Sequence, residues 1–425
     1  MKEFYLKPKL FSAMKGYTGS QFVKDIVAGI IVAIIALPLS IALASASGVE
    51  PVRGIYTAVF AGFIVSFLGG SRIQIAGPTA AFATMVAGIV LNEEKGMQGL
   101  IIATIIAGVM LVIMGVCRLG GLIKLMPHTI TVGFTSGIAV TILVGQIKDF
   151  IGLQYAEGIK PIEAIEKIEA NIDAIGTFTW QALVVGAVCL AILIIYPKLE
   201  KRVPPSLIAV VVGTLIVKFV PGFGDVATIG EISKGFPKFV LGDYDFSFNN
   251  ILAAIPDGFT IALLAAIESL LSCVVADGMI SSKHNPNAEL VAQGLGNVAS
   301  VMFGGIPATG AIARTAANAK NGGRTPISGM VHAIVLLLVL VCLTPLAQGI
   351  PMPAIAAILF MVAYNMSEWK KFRDIIKKRC WTDIIVLLVT FVLTVVFDLV
   401  VAIGVGLGIA IIFALAKKLF NKKKA

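Results

Sequence analysis

Two ionisable residues lie within apolar stretches of this sequence, where a charge is costly and usually serves a function. Glu268 lies in the middle of AAIESLLSCVVADG, and Ser272 follows one helical turn later on the same face. A carboxylate there suits a coupling proton or, with hydroxyl and carbonyl oxygens, a sodium ion. Arg314, in PATGAIARTAAN, would add positive charge for an anion. The structural alternatives are that Glu268 pairs with a nearby cation or helix end and that Arg314 is a structural cation.

Glycine and proline interrupt two stretches where a membrane helix would otherwise run. GGSRIQIAGP precedes Thr79, and GGIPATG precedes Ala311. If the residues from Arg72 to Gly77 are extended at about 3.3 Å each, they reach roughly the middle of a bilayer. The third and tenth membrane spans are therefore predicted to be half-helices.

The predicted half-helices begin at Pro78 and near Gly310, and their N-termini would face each other at mid-membrane. Each N-terminus offers unpaired N–H groups and about half a positive charge, which suits an anion. The alternative is a pair of ordinary kinks filled by neighbouring side chains. Pro38, in IIALPLSIALA, predicts a break in the first helix that would place Ser40 beside the same cavity.

The composition indicates an integral membrane protein. The 425 residues are 58% hydrophobic and 14% charged, with a mean hydropathy of +0.95, and no polar segment is long enough for a separate soluble domain. We therefore predict a single membrane domain, 1–425, without a removable signal peptide. The net charge of +10 is attributed to basic loops rather than to nucleic-acid binding, and the five cysteines show no spacing typical of a metal site.

The hydropathy pattern predicts an all-α fold with fourteen spans. An odd number of spans in each half makes the two halves an inverted repeat of seven plus seven, about 24–220 and 250–418. The distribution of Lys and Arg places both termini in the cytoplasm of a multi-pass protein of the cell (inner) membrane. The predicted spans are 25–47, 53–69, 78–92, 97–117, 128–150, 178–196, 203–220, 256–276, 287–303, 310–320, 327–348, 353–366, 381–397 and 399–417.

Each half also contains an amphipathic link after its fifth span. The apolar residues of the two links recur at helical spacing. They are Ile162, Ile165, Ile168, Ile172 and Ile175 in the first link, and Trp369, Phe372, Ile375 and Ile376 in the second.

Four stretches of the sequence resemble the membrane signatures of the SulP family of anion transporters (solute carrier family 26 type). They are DIVAGIIVAIIALPLSIALASASGVEPVRGIYTA, IAGPTAA, AIESLLSCVVADGM and PATGAIARTAAN. The resemblance implies a core domain of spans 1–4 and 8–11, a gate domain of spans 5–7 and 12–14, and an elevator-like cycle. SulP proteins usually continue into a cytoplasmic STAS domain, and this sequence ends at KKLFNKKKA without one; a homodimer remains open.

The resemblance also implies site residues. Glu268 and Ser272 match the positions at which sodium-coupled relatives bind the cation and proton-coupled relatives carry a carboxyl group. The anion would lie among residues of spans one, three and ten, with Arg314 behind it. These residues are Ser40, Leu43, Thr79, Ala80, Gly310, Ala311 and Ile312.

The sequence thus predicts a secondary transporter of small anions such as sulfate, bicarbonate or a small carboxylate, coupled to protons or sodium and without a cofactor. A nucleobase symporter of the same architecture is the main alternative. Its site would need side-chain donors and acceptors for a planar ring, whereas Arg314 and the small ATGA turn favour an anion. An anion channel or exchanger is a third candidate. No nucleophile elbow, phosphate loop or metal-ligand spacing indicates an enzyme.

Overall fold

In the computed structural model the chain is mostly helical, and the predicted spans largely coincide with helices. The structure describes residues 6–121, 127–157, 159, 161, 163–200, 203–230, 237–396, 402, 404–406, 408, 409 and 412. Ile162 and most of the predicted last span lie outside these residues. The helices are α1 (Lys9–Ala13), α2 (Gly19–Ala46), α3 (Pro51–Leu68), α4 (Ala80–Val90), α5 (Gly96–Val116), α6 (His128–Ile151), α7 (Ala164–Asp173), α8 (Trp180–Leu199), α9 (Pro205–Phe219), α10 (Phe248–Ile280), α11 (Pro286–Met302), α12 (Ile312–Lys320), α13 (Ile327–Ala347), α14 (Met352–Met366), α15 (Trp369–Lys377) and α16 (Trp381–Val396).

Six of the described helices are long and apolar enough to cross a membrane, judged by length and composition. They are α2, α3, α5, α6, α8 and α10. Four further apolar stretches are shorter, and α4 is among them. The short length of α4 and α12 agrees with the prediction of half-helices, because neither could cross a bilayer alone.

Two short strands precede the half-helices, so the prediction of an all-α fold was incomplete. Strand β1 (Ala76–Gly77) leads to α4, and strand β2 (Thr309–Gly310) leads to α12. The strands pair in antiparallel register, with Ala76 opposite Gly310 and Gly77 opposite Thr309. Extended backbone at membrane depth must find partners within the protein, and each interrupted segment supplies them for the other.

The half-helices begin later than the sequence suggested. Pro78 precedes Thr79, which is the N-cap of α4, so the proline is not in the first helical turn. Gly310 belongs to β2, and Ala311 is the N-cap of α12. Strand pairing keeps these residues extended for about two residues beyond the predicted helix starts.

Two predictions about proline were wrong. Helix α2 runs without interruption through Pro38. Helix α10 begins at Phe248 and includes Pro256, where the sequence suggested a start. Proline removes only one hydrogen bond from a helix, and packing by neighbouring helices keeps both helices continuous.

The helices pack in two sets. In one set α5 lies against α10 and α11, α3 lies against α11 and α13, and α2 lies against α3, α12 and α13. In the other set α6 lies against α14 and α16, and α8 lies against α9 and α14. Glycines allow close approach, as where a side chain at Gly294 of α11 would meet the Gly108 carbonyl of α5.

The segment before β1 is held by the buried carboxylate of Glu289 in α11. Its oxygens accept hydrogen bonds from the Gly70 amide (2.9 Å), the Ser71 amide (3.2 Å) and the Gln74 side chain (2.7 Å). The Gln293 side chain donates a fourth bond at 3.0 Å. The carboxylate therefore serves as the common acceptor for backbone and side-chain donors that are buried away from solvent.

The segment before β2 is held in a comparable way by α11 and α3. The Asn297 side chain accepts from the Ala308 amide at 2.8 Å and donates to the Ala308 carbonyl at 2.9 Å. The Thr57 hydroxyl accepts from the Ile306 amide at 2.8 Å. Side chains from surrounding helices thus position both interrupted segments.

The start of α2 is tied to the link between α12 and α13. The buried Asp25 carboxylate accepts from the Thr325 hydroxyl (2.6 Å), the Arg324 amide (2.8 Å) and the Tyr17 hydroxyl (2.9 Å). Burial and the hydrogen bond to Asp25 raise the pKa of Tyr17 to about 12. The phenol therefore stays protonated and donates to the carboxylate at neutral pH.

Replacing Glu289 by alanine should destabilise the protein strongly, because the Gly70, Ser71 and Gln74 donors would remain buried without an acceptor. We expect a loss on the order of 3 kcal/mol, measured as a lower melting temperature in detergent. Glu289→Gln keeps one acceptor oxygen, so its melting temperature should lie between those of the wild type and Glu289→Ala. The control is Glu169→Ala at an exposed position on α7; equal melting temperatures for Glu289→Ala and this control would contradict the assigned role.

Candidate functional site

The N-termini of α4 and α12 lie on either side of the β1–β2 pair. The first-turn N–H groups of Ala80, Ala81, Ile312 and Ala313 have no carbonyl partner within their own helices. In neither helix does the side chain of the N-cap residue accept a hydrogen bond from these N–H groups. Two sets of backbone donors and two positive helix ends therefore converge on one region, which suits a small anion.

Thr79 occupies the N-cap of α4, yet its hydroxyl does not cap the helix. It donates instead to a carboxylate oxygen of Glu268 at 2.9 Å. Threonine is a favoured capping residue, so this alternative contact leaves the α4 N-terminus open. The structure thus brings together a predicted anion-site residue and the predicted coupling residue.

On the α12 side, two predicted anion contacts have their amides occupied. The Gly310 amide donates to the Ser269 hydroxyl at 3.1 Å, and the Ala311 amide donates to the Ile75 carbonyl at 2.8 Å. The donors that remain for a ligand on this side are those of Ile312 and Ala313. Ile312 is 45% exposed, so its position faces open space rather than the packed interior.

Arg314 is buried beneath the half-helices, with 2% of its surface exposed. One guanidinium nitrogen, Nη2, donates to the Pro78 carbonyl at 2.6 Å, and the other, Nη1, has no hydrogen-bond partner among the described residues. A Cβ atom at Gly77 would overlap Nη1. The charge is therefore held behind β1, where little water screens it.

The remaining predicted residues occupy three separate positions. Ser272 donates to the Thr315 hydroxyl at 3.4 Å, whereas Glu268 contacts Thr79, so the structure shows no hydrogen bond joining the two predicted coupling residues. Ser40 is fully buried, its hydroxyl has no hydrogen-bond partner in the described part of the chain, and its carbonyl lies close to Gly54 of α3. Leu43 is also buried, at 3% exposure. No cluster of three or more potential metal ligands occurs among the described residues.

A cavity of about 260 Å³ runs beside α4, beyond the N-terminal turn. Thr84 and Gly88 of α4 line one side, and Thr141 of α6 lines another. The ion pair between Lys95 and Asp257, at 2.8 Å, borders the same cavity. The cavity separates the helix set that carries the half-helices from the set that contains α6.

The Sulfate permease family profile matches residues 22–390 of the chain. The chain belongs to this family. It is 43% identical over 408 residues to the protein named "Putative sulfate transporter YvdB" of Bacillus subtilis (strain 168), covering 94% of this chain and 74% of that protein. It is 35% identical over 401 residues to "Bicarbonate transporter BicA" of Picosynechococcus, covering 91% of this chain and 69% of that protein.

Solved structures show the same fold. The transmembrane domain of a cyanobacterial bicarbonate transporter BicA matches with a TM-score of 0.80 and 30% identity, covering 93% of this chain and 98% of that one. Murine solute carrier 26 family member A9 matches with a TM-score of 0.87 and 18% identity, covering 98% of this chain and 72% of that one. This member of the family is therefore a multi-pass membrane transporter rather than an enzyme, as the sequence predicted.

Several polar residues of the candidate site were not predicted from the sequence. Ser269, next to Glu268, contacts the Thr309 hydroxyl at 2.7 Å, and the Pro78 carbonyl is the acceptor for Arg314. A third group of polar residues could have been found in the sequence, because its members recur at every fourth position on α11. They are Glu289, Gln293 and Asn297.

The position of the Arg314 side chain against β1 can be tested by substituting Gly77. Gly77→Ala should lower the melting temperature in detergent because the new Cβ would overlap Nη1 of Arg314. Adding Arg314→Ala should restore part of the loss, since it removes the overlapping group. The control is Gly278→Ala, where no neighbour lies within 4 Å. A Gly77→Ala variant as stable as this control would place Arg314 elsewhere.

Proposed function

We propose that this protein is a secondary active transporter of small anions, sulfate or bicarbonate first among them. The observation that carries the proposal is the convergence of two uncapped half-helix N-termini, with the charge of Arg314 behind them. The relatives' names, one a putative sulfate transporter and the other a bicarbonate transporter, support the same class of cargo. A planar nucleobase finds less support, because the donors around the half-helix ends are mainly backbone amides.

The proposed architecture is an inverted repeat, about 24–220 and 250–418, with both termini in the cytoplasm. The antiparallel pairing of β1 and β2 supports it, because each strand leads into a short helix and the two helices leave the pair in opposite directions. The amphipathic helices α7 and α15 provide a second correspondence between the two halves, because α7 follows α6 and α15 follows α14. The cell membrane is the proposed location.

The proposed transport cycle is elevator-like. The core domain comprises spans 1–4 and 8–11, and the gate domain comprises spans 5–7 and 12–14. The two sets of packed helices support this division, since their strongest contacts lie within each set. The cavity between α4 and α6 supports it too, because a moving core needs a boundary that is not fully packed.

The sum of the charges around the proposed anion site indicates which ion could accompany the anion. The two helix ends together supply about one positive charge, Arg314 supplies another, and an ionised Glu268 removes one. A monovalent anion balances the ionised site, and a divalent anion balances it when Glu268 is protonated. We therefore propose a proton as the companion of a divalent cargo such as sulfate, and a sodium ion near Glu268 and Ser272 as the alternative.

Thr79 provides the proposed link between cargo and coupling ion. With Glu268 ionised, the hydroxyl donates to the carboxylate, as in the contact of 2.9 Å. Neutralising Glu268 weakens that bond, and the hydroxyl becomes free to turn toward a ligand at the α4 N-terminus. Ion binding at Glu268 would thereby change the donors that surround the anion.

Uptake into proteoliposomes tests the proposed function. Labelled sulfate, bicarbonate and fumarate are each measured with and without a proton or sodium gradient. We expect saturable, gradient-driven accumulation of at least one anion. Thr79→Trp and Ala311→Trp should abolish it in folded protein, because the indole would fill the space before the helix ends. Lys198→Ala, at an exposed position, is the control.

Two outcomes of that assay would count against the proposal. Flux that never exceeds the equilibrium ratio would favour an anion channel or exchanger. Unchanged uptake in both tryptophan variants would move the anion site away from the half-helices.

Glu268→Gln separates binding from coupling. The amide mimics the protonated acid, so this variant should still bind anion but lose accumulation against a gradient. Binding and concentrative uptake are measured on the same preparation. Thr79→Val, which removes the hydroxyl but keeps the side-chain volume, should also weaken coupling, whereas Thr79→Ser should retain it. Accumulation at the wild-type level in Glu268→Gln would remove this residue from the coupling mechanism.

A further inference from the structure

Helix α15 and the residues around it form a short, strongly basic segment between two membrane helices. From 368 to 379 the sequence contains six Lys and Arg and two Asp and Glu, a net charge of +4. The six basic side chains are all exposed. They are Lys370, Lys371, Arg373, Lys377, Lys378 and Arg379.

One face of α15 is packed onto the helix bundle. Ile375 lies in an apolar cluster with Val132 of α6 and Leu387 of α16. The Phe372 ring meets the Phe391 ring of α16 edge to face, with centroids 5.4 Å apart. The apolar contacts thus fix which side of the helix faces outward, and the basic residues occupy that side.

The charge on the outward side is only partly neutralised within the protein. Lys371 pairs with Glu368 at 2.6 Å, and Arg373 lies 3.7 Å from Asp374. Lys370, Lys377, Lys378 and Arg379 form no ion pair among the described residues. Apolar side chains are exposed beside them, including Trp369 (41%), Ile376 (40%) and Trp381 (75%). Basic residues beside exposed tryptophan are typical of a helix that lies in the headgroup region of a membrane.

The other amphipathic helix, α7, lies at the opposite end of α6 and has the opposite charge. The Asn171 side chain of α7 donates to the Val144 carbonyl near the C-terminal end of α6, whereas Ser136, nearer the N-terminal end, donates to the Ser367 carbonyl beside α15. From 163 to 173 the sequence contains four acidic residues and one lysine, a net charge of −3. Exposed isoleucines on α7, such as Ile172 at 64%, provide an apolar face there too.

We propose that the basic face of α15 is a binding surface for anionic lipid headgroups, and that α7 contacts the opposite leaflet without this preference. Both helices present apolar side chains to the bilayer, so hydrophobic contact does not distinguish them. The sign of the charge does, because unpaired Lys and Arg near a membrane attract anionic headgroups. Such contacts would anchor the α6, α14 and α16 helix set to one leaflet.

The three tryptophans of the chain allow a direct test. Trp369 and Trp381 flank α15, and Trp180 follows α7 at the start of α8. In the full chain, Trp180→Phe leaves only the reporters at α15, and Trp369→Phe with Trp381→Phe leaves only the reporter near α7. Each protein is placed in nanodiscs that contain the same small fraction of brominated phosphatidylglycerol or brominated phosphatidylcholine, and quenching of tryptophan fluorescence is measured.

We expect brominated phosphatidylglycerol to quench the α15 reporters about twofold more than brominated phosphatidylcholine at low salt, because basic residues enrich anionic lipid locally. High salt should reduce the difference. The Trp180 reporter should show no excess quenching by phosphatidylglycerol. Both reporters are measured in the same bilayer, so the comparison does not depend on lipid composition or on transport activity.

A charge variant identifies the residues responsible. In the Trp180→Phe background, Lys370→Gln, Lys377→Gln and Lys378→Gln together should abolish the excess quenching, whereas the three Lys→Arg substitutions should preserve it. Equal quenching by the two lipids at α15 in the protein with all its lysines would overturn the proposal, and this result does not require the charge variant to fold. Excess quenching that survives the three glutamines, or that is equally large at Trp180, would also overturn it.

Discussion

The structure depends on the need to satisfy extended backbone that is buried within the helix bundle. Two chain segments enter the helix bundle without helical hydrogen bonds, and water is not available there as a partner. The segments solve part of the problem by pairing with each other as β1 and β2. The rest is solved by side chains that point at them, chiefly Glu289 and Asn297 of α11, with Asn318 of α12 donating to the Ile73 carbonyl at 2.9 Å. Without such a partner, each buried amide or carbonyl would lower the stability by several kcal/mol.

That solution also determines what is left for a ligand. The supporting side chains are used on the extended segments, and none caps the helices that follow. The Thr79 hydroxyl could cap α4 but contacts Glu268, and Ala311 has no side chain that could cap α12. The unpaired donors therefore collect at the two helix ends, which is where an anion gains most from them.

The sequence predicted the interruptions and the helices well, because glycine, proline and apolar length are local signals. Such signals predict the half-helices α4 and α12 and the links α7 and α15. They also place Glu268 within a long apolar helix and Arg314 within a short one. The pairing of β1 with β2 could not be predicted in this way, since it depends on contacts between residues more than two hundred positions apart. The predicted helix starts at Pro78 and Gly310 were wrong for that reason. Continuity through Pro38 depends likewise on packing by neighbouring helices. The partners of Glu289 were missed although its four-residue spacing with Gln293 and Asn297 was visible, because the pattern gives no hint of what faces it.

The two ionisable residues near the half-helices, Arg314 and Glu268, differ in how far the protein encloses them, and this difference bears on which of them can exchange an ion in the proposed cycle. Arg314 is enclosed, with 2% of its surface exposed and its one hydrogen bond directed to the Pro78 carbonyl. Glu268 is partly exposed, and within the described part of the chain its carboxylate accepts a hydrogen bond from Thr79. A fully enclosed positive charge keeps the same electrostatic field through a cycle, whereas a change of charge at a less enclosed carboxylate disturbs fewer contacts. In the transport cycle that we propose, Glu268 is therefore the variable charge and Arg314 the constant one.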